Sequence, residues 1–186
     1  MEDEASVIKK AQAGDLKAFE ELISMYKKLI YNLCLRMLND RNEAEDASQD
    51  AFIKIYKGLR TYNGQSKFSN WALKIATNTC IDIIRKQKVK TVPIDDYDVS
   101  DGSSPEKHYV EYETLKSVEE AIKALPEKYR TVIVYYHFMN LSYQDIASIL
   151  HVPMTIVKNR LYRARLMLKD KLYKGEVRYD GLQNSI

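Results

Sequence analysis

Apolar residues recur three and four positions apart through much of the first half of this chain, and that spacing restricts it to packed helices. Phe19, Leu22, Ile23, Tyr26, Leu29, Ile30, Leu33 and Met37 trace one stripe; Ala44, Ala47, Ala51, Phe52, Ile55 and Leu59 trace a second; Trp71, Ile75, Ile83 and Ile84 trace a third. Such a period lines one face of a helix, whereas a half-buried strand would alternate. Only 4 prolines and 6 glycines interrupt 186 residues, so long helices meet few breaks. Gly14-Asp15 reads as a helix stop followed by an N-cap, and Asp40 with Glu43 caps the second stripe. The expected fold class is all-α.

The second half carries a different signal. Ser142 three residues before Asp145 starts a short helix with Ile146, Ala147 and Leu150 on one face. His151-Val152-Pro153 ends it, with His151 at a turn position that favours left-handed backbone. Pro153 suits the first turn of a new helix, where its missing N–H has no intrahelical partner, and Val157 and Leu161 give that helix a buried side. This is a helix-turn-helix pattern. From Pro153 to Lys174 the basic residues Lys158, Arg160, Arg163, Arg165, Lys169, Lys171 and Lys174 face Asp170 as the one acid, a self-repelling arrangement that an anionic partner relieves. A solvated basic face is the plainer alternative. In a helix-turn-helix the second helix enters the major groove, which assigns Thr155, Lys158, Asn159 and Arg160 to base edges and Arg163 and Arg165 to phosphates.

Between the halves, residues 91–113 hold Pro93, Gly102-Ser103-Ser104-Pro105 and the acids Asp95, Asp96, Asp98, Asp101, Glu106, Glu111 and Glu113 against Lys107. That composition disfavours a packed core and predicts a flexible acidic linker. A calcium loop counted from Asp96 fails, because Asp101 stands where glycine is required and Lys107 where a bidentate acid is required. The expected organisation is a first helical domain over 1–90, the linker, a second domain over 114–174 and a frayed tail over 175–186. Two support helices precede the helix-turn-helix, one from about Thr114 to Ala124 and one begun by Leu125-Pro126 that carries Tyr129, Val132, Ile133, Tyr136 and Phe138.

Several function classes lack their parts. There is no glycine-rich phosphate loop and no nucleophile with a recognisable base, so no enzyme, cofactor or small-molecule substrate is expected. Cys34 and Cys80 sit inside apolar patterns and read as buried thiols; His108, His137 and His151 show no ligand spacing, so no metal site is expected. No apolar run approaches a transmembrane span, and Met-Glu-Asp-Glu lacks the basic and apolar regions of a secretory signal, which predicts a cytoplasmic, not membrane-embedded, protein.

Two helical domains, an acidic linker and the motifs Gly14-Asp15 with Phe19, Glu43-Ala44-Glu45-Asp46 through Phe52, Phe68-Ser69-Asn70-Trp71 through Asn78, Leu125-Pro126-Glu127-Lys128-Tyr129-Arg130 and Leu141 through Arg165 closely resemble the extracytoplasmic-function group of bacterial sigma factors. The resemblance implies a region 2 bundle and a region 4 helix-turn-helix in an alternative sigma factor that binds core RNA polymerase and directs initiation from promoter DNA. It implies that Asp46, Gln49 and Asp50 dock on a polymerase coiled coil. It implies too that Tyr62, Asn63, Gln65, Ser66 and Lys67, with Lys74 and Asn78, read the melted minus-ten strand. The helix-turn-helix would read the minus-thirty-five element as duplex, and an anti-sigma factor would silence the free protein. Trp71 falls on the apolar face and reads as a packing residue rather than a wedge. The chain departs from the family at the reading helix: Thr155-Ile156 stands where Gly-Thr is usual, Asn159 replaces a common serine, and His151 a common glycine. The target sequence therefore cannot be borrowed from relatives. The competing reading is a stand-alone helix-turn-helix regulator, against which the first domain, with neither strands nor a phosphoacceptor pocket, argues.

Overall fold

The computed structural model describes residues 3–90 and 117–183, with side chains to residue 87 in the first stretch and to residue 172 in the second. The linker with its acids, and the start of the helix expected from Thr114, lie outside the described residues. Every regular element among those described is helical. In order these are α1 (Glu4–Gln12), α2 (Leu16–Leu38), α3 (Arg41–Gly58) with a 3-10 turn at Leu59–Thr61, and α4 (Phe68–Lys90). There follow α5 (117–123), α6 (Glu127–Ile133) running into a π-helical turn at Val134–Phe138, α7 (Tyr143–Leu150) and α8 (Met154–Gln183).

The caps form where local chemistry places them. Asp15 Oδ1 accepts from the N–H groups of Lys17 and Ala18, and Asp40 Oδ1 accepts from Glu43 N–H at 2.9 Å, satisfying donors that the first helical turn leaves open. α2 ends at Asn39 in the left-handed region, φ 54°. Helix α8 continues past Lys174 to Gln183, so residues 175–183 are helical and not the unpatterned tail expected from composition. Each residue added to an existing helix gains a hydrogen bond without a new nucleation cost, which lets a helix outrun its apolar pattern.

Helices α1 to α4 form the first bundle, around Leu22, Ile30, Leu33, Met37, Ala47, Ala51, Leu73 and Ala76. Cys34 and Cys80 are both fully buried in it and unbridged. A hydrogen bond to Cys34 and then burial push the Cys80 thiol well above its ordinary pKa, which keeps it an inert core group. Trp71 and Ile75, expected inward, are only half-buried, while Ala72, Leu73, Ala76, Thr77 and Cys80 are buried almost completely. α4 packs against α2 and α3 and also against α7 of the second unit, so small residues, not the bulky stripe, mark its most enclosed sides.

The second unit docks on the first through polar groups taken out of water. The Tyr135 hydroxyl, fully buried, hydrogen-bonds Thr77 Oγ1 and donates to the Leu73 carbonyl at 3.3 Å. Burial raises the Tyr135 pKa well beyond the ordinary phenol value. Arg130, 4% exposed, sends one guanidinium nitrogen to the Met37 carbonyl at 2.7 Å and the other to the carbonyls of Lys123 and Leu125. Ion pairs Arg36–Glu119 at 2.7 Å and Arg85–Glu127 at 3.2 Å rim this contact. Sequence periodicity expected Tyr136 and Phe138 on the buried side of α6; instead Val134 and Tyr135 are buried and Phe138 is exposed beneath the Arg36 guanidinium. The π-helical turn adds a residue to one revolution and rotates the residues after it, a change that a 3.6 period cannot foresee.

Candidate nucleic-acid interface

Three exposed surfaces carry the residues singled out from sequence. On α3 the small buried residues Ala44, Ala47, Ser48 and Ala51 form its inner side, which leaves Asp46, Gln49 and Asp50 exposed on the opposite side. Spacings of three and four put these on one helical face. Ile53, three residues beyond Asp50 and seven beyond Asp46, completes that face and is 51% exposed. Next to it a groove of about 770 Å³ runs between α2 and α3, lined by Ile23, Tyr31, Gln49, Phe52 and Ile53. Asp46 and Asp50 lie outside the groove lining. An exposed apolar residue within a polar rim is how the centre of a protein interface is built. Sequence reading passed over Ile53; its signal was an isoleucine out of register with the buried alanines.

The second surface joins the loop after α3 to one strip of α4. The Tyr62 ring lies 5.2 Å from Phe68 and 5.4 Å from Trp71, and its hydroxyl donates to the Ser66 carbonyl at 2.6 Å. Asn63 Oδ1 accepts from Gln65 N–H at 3.1 Å, and Gly64, φ +75°, supplies left-handed backbone that a side chain would strain. Tyr62 and Ser66 therefore hold the loop's shape, and Asn63, Gln65 and Lys67 are the members that expose side chains. Trp71 sits within this aromatic group and against Gly58, where an added Cβ would lie 3.4 Å from the indole. Lys74 and Asn78, four apart, share the strip of α4 that its neighbours leave open, with Lys67 in line just before the helix begins; Lys74 is half-buried and Asn78 exposed. Beneath the loop a hollow of about 460 Å³ is walled by Glu4, Ala5 and Ile8 of α1 with Tyr26, Tyr62 and Phe68. Tyr26 hydrogen-bonds Glu4 there, and burial followed by that bond raises its phenol pKa far above the ordinary value. The α1 wall was not foreseen, because a loop and a helix some fifty residues away in sequence share no local pattern.

The third surface is the helix-turn-helix. Ser142 Oγ accepts from Asp145 N–H at 3.1 Å and donates to its carboxylate at 2.6 Å, closing the expected cap. That hydroxyl first, and also Asn70 and Lys67 across the domain contact, hold the Asp145 carboxyl below its ordinary pKa against the opposing effect of burial. His151 is left-handed, φ 50°, as expected of the turn. The inner side of α7 is Ile146 and Ile149, with Ala147 and Leu150 half-buried, and α8 buries Val157, Leu161 and Ala164. Thr155, Lys158, Asn159, Arg163 and Arg165 are exposed, and Arg160 is half-buried at the flank. Opposite the buried side stand Thr155, Asn159 and Tyr162, and Tyr162, 65% exposed, was not singled out from sequence. Its signal was an aromatic three residues after Asn159 and seven after Thr155. Arg165 is not wholly free: its guanidinium lies 5.5 Å from the Tyr136 ring and 3.5 Å from His137 Nε2.

The described residues contain no group of His, Cys, Asp and Glu that could hold a metal ion, and no helix among them is long and apolar enough to cross a membrane.

The comparisons with known proteins agree with this layout. The sigma-70 region 2 family matches residues 22–89, and the sigma-70 region 4 family matches residues 115–168. The ECF RNA polymerase sigma factor SigW of Bacillus subtilis is 40% identical over 176 residues, covering 89% of this chain and 94% of the relative. The RNA polymerase sigma-H factor of Pseudomonas aeruginosa is 33% identical over 175 residues, covering 88% and 91%. Among solved structures, CnrH in complex with the cytosolic domain of CnrY aligns with a TM-score of 0.67 at 20% identity, over 90% of this chain and 96% of that one, which is a likeness of fold. A sigma factor from Bartonella quintana, solved with the anti-sigma factor NepR, aligns with a TM-score of 0.63 at 21% identity, over 84% and 98%. With two domains matched in order and a relative aligned along nearly its whole length, the chain belongs to the extracytoplasmic-function group of sigma-70 family RNA polymerase sigma factors.

Proposed function

We propose that this chain is an alternative sigma factor that works as a two-point clamp on core RNA polymerase and promoter DNA. The α3 face of Asp46, Gln49 and Asp50, centred on Ile53, docks on a basic helical element of the core enzyme. Loop 62–67 with Lys74 and Asn78 holds the melted minus-ten strand, and α8 reads the minus-thirty-five duplex. The observation that carries the reading is the open strip of α4: a helix packed on its other sides presents the half-buried Lys74 and the exposed Asn78 in line with a glycine-containing loop. Lysine suits a phosphate and asparagine a base or sugar edge. The hollow beside the loop, walled by aromatic rings, offers stacking to a base that has left the duplex.

No covalent step belongs to this chain; sigma factors act in initiation without catalysing it, and phosphoryl transfer is the work of the core enzyme. The domain contact through Tyr135 and Arg130 belongs to the free protein and is exchanged for polymerase contacts when the clamp opens. An anti-sigma protein that holds the closed form, of the kind bound in the Bartonella quintana structure, is the regulator this reading implies. The site of action is the bacterial cytoplasm, where core polymerase resides.

Transcription by bacterial core polymerase on a fragmented library of the source genome tests the reading. Added protein produces starts downstream of one shared bipartite motif. DNA affinity without new starts would move the assignment to a stand-alone regulator. Within that assay, Arg160→Ala relaxes selection at one minus-thirty-five base pair, at a cost of about 1–3 kcal/mol expected of a bidentate contact. A uniform loss across all sequences, with a shallower salt dependence, would reassign Arg160 to a phosphate.

A further inference from the structure

Helix α1 lies outside the matched region 2 segment and holds none of the residues assigned to DNA, yet one of its side chains fastens the minus-ten loop. Gln12, the last residue of α1 and half-buried, donates from Nε2 to the Tyr62 carbonyl at 2.7 Å and to the Leu59 carbonyl at 3.0 Å. A side-chain amide nitrogen has two hydrogens, and both are used. Its acceptors bracket the 3-10 turn at the point where the chain leaves α3 for the loop; the Leu59 carbonyl also takes the Tyr62 N–H at 3.1 Å, and Gln12 adds a second donor there and one to the Tyr62 carbonyl just beyond the turn. Tyr62 is in turn the loop's main internal support, through its ring on Phe68 and Trp71 and its hydroxyl on Ser66. α1 cannot shift without carrying this fastening, because Val7, Ile8 and Ala11 are buried against the bundle.

We propose that Gln12 is a positioning residue for minus-ten selection: by holding the Leu59 and Tyr62 carbonyls it sets the loop that presents Asn63, Gln65 and Lys67 to the melted strand. The inference rests on the reading of loop 62–67 as the minus-ten reader. Its physical basis is preorganisation, since a loop already held in its binding shape spends no binding energy on ordering and discriminates bases by fixed geometry. Removing the amide takes the Gln12 donor from the Tyr62 carbonyl, leaves the Leu59 carbonyl with the Tyr62 N–H alone, and frees the loop entry, while Asn63, Gln65 and Lys67 themselves remain.

The test uses the full chain assembled with bacterial core polymerase and a pool of single-stranded oligonucleotides randomised across the non-template minus-ten element. The parent protein selects a defined sequence. Gln12→Leu flattens preference at the base facing the loop by about tenfold, the scale of one to two lost net hydrogen bonds, with minus-thirty-five duplex binding unchanged. Trp71 is the chain's single tryptophan and touches Tyr62, so its emission reports the loop directly and changes in the variant. If Gln12→Leu does not fold, Gln12→Asn, which keeps the amide but is too short to span both carbonyls, is read below its melting transition by the same two signals. Unchanged base preference, or a loss of affinity equal for every oligonucleotide, overturns the positioning role. A parent protein that selects no sequence overturns the reading of the loop itself, a failure visible before any substitution is made.

Discussion

Asp50→Lys abolishes assembly with core polymerase while leaving the fold intact. Asp50 is exposed on α3 and has no partner that the fold depends on, and surface substitutions of that kind stay within about 0.5 kcal/mol in stability. In the proposed docking, the same carboxylate passes into an interface against a basic partner. There, removing one member of a desolvated charge pair costs roughly 2–5 kcal/mol, and reversal adds like-charge repulsion. The expected loss of affinity is about thirtyfold or more. Co-purification with core enzyme and a thermal melt decide it together: undiminished co-purification, or a melt that collapses with it, removes Asp50 from the interface. Starts in the transcription assay disappear in parallel, which ties docking to function.

Arg130→Ala destabilises the protein by about 3 kcal/mol, the sum expected when several charge-assisted hydrogen bonds are lost and the relief of an unfavourably buried guanidinium offsets part of the loss. Burial lowers the Arg130 pKa, with Glu127 opposing, and its Nε is buried without a partner, so the residue carries a desolvation cost of its own. Against that cost stands a fork reaching the carbonyls of Met37, Lys123 and Leu125, the ends of α2 and of the α5–α6 connection. No intrahelical donor serves a helix C-terminus, and the planar guanidinium meets several carbonyls from different directions. Urea unfolding measures the change. Arg130→Lys recovers less than half of it, since an ammonium on a flexible stem cannot hold that geometry. A shift under about 1 kcal/mol would mean that water replaces the guanidinium without loss.

Much of the fold was legible before any coordinates. The Asp15 and Asp40 caps, the Ser142–Asp145 cap and the left-handed His151 arise from interactions a few residues long, and those appear where the sequence places them. The stripe of α2 was read in part: Leu22, Ile30, Leu33 and Met37 are buried, Phe19, Ile23, Tyr26 and Leu29 are half-buried, and Ala18, Cys34 and Leu38 are buried beside them, because α1, α3 and α4 all pack on this helix. α4 was read less well: it is enclosed on several sides, so its apolar residues point in most directions and period carries little information about the one strip left open. Ile53 and Tyr162 lay outside the apolar stripes, and only the packing shows that each stands exposed on a face with no neighbour.

The residue pattern alone determined that the chain is helical, where most helices begin and end, and that a basic helix comes after a tight turn, because each depends on spacing and hydrogen bonds within one or two turns of chain. Only the tertiary structure decided that Gln12 fastens a loop fifty residues away, that Tyr135 rather than Phe138 meets Thr77, and that Lys74 and Asn78 share an open strip with Lys67 in line before it. Those facts depend on which helices pack against which, on a π-helical turn that breaks the 3.6 register, and on groups distant in sequence whose hydrogen bonds have no local signature.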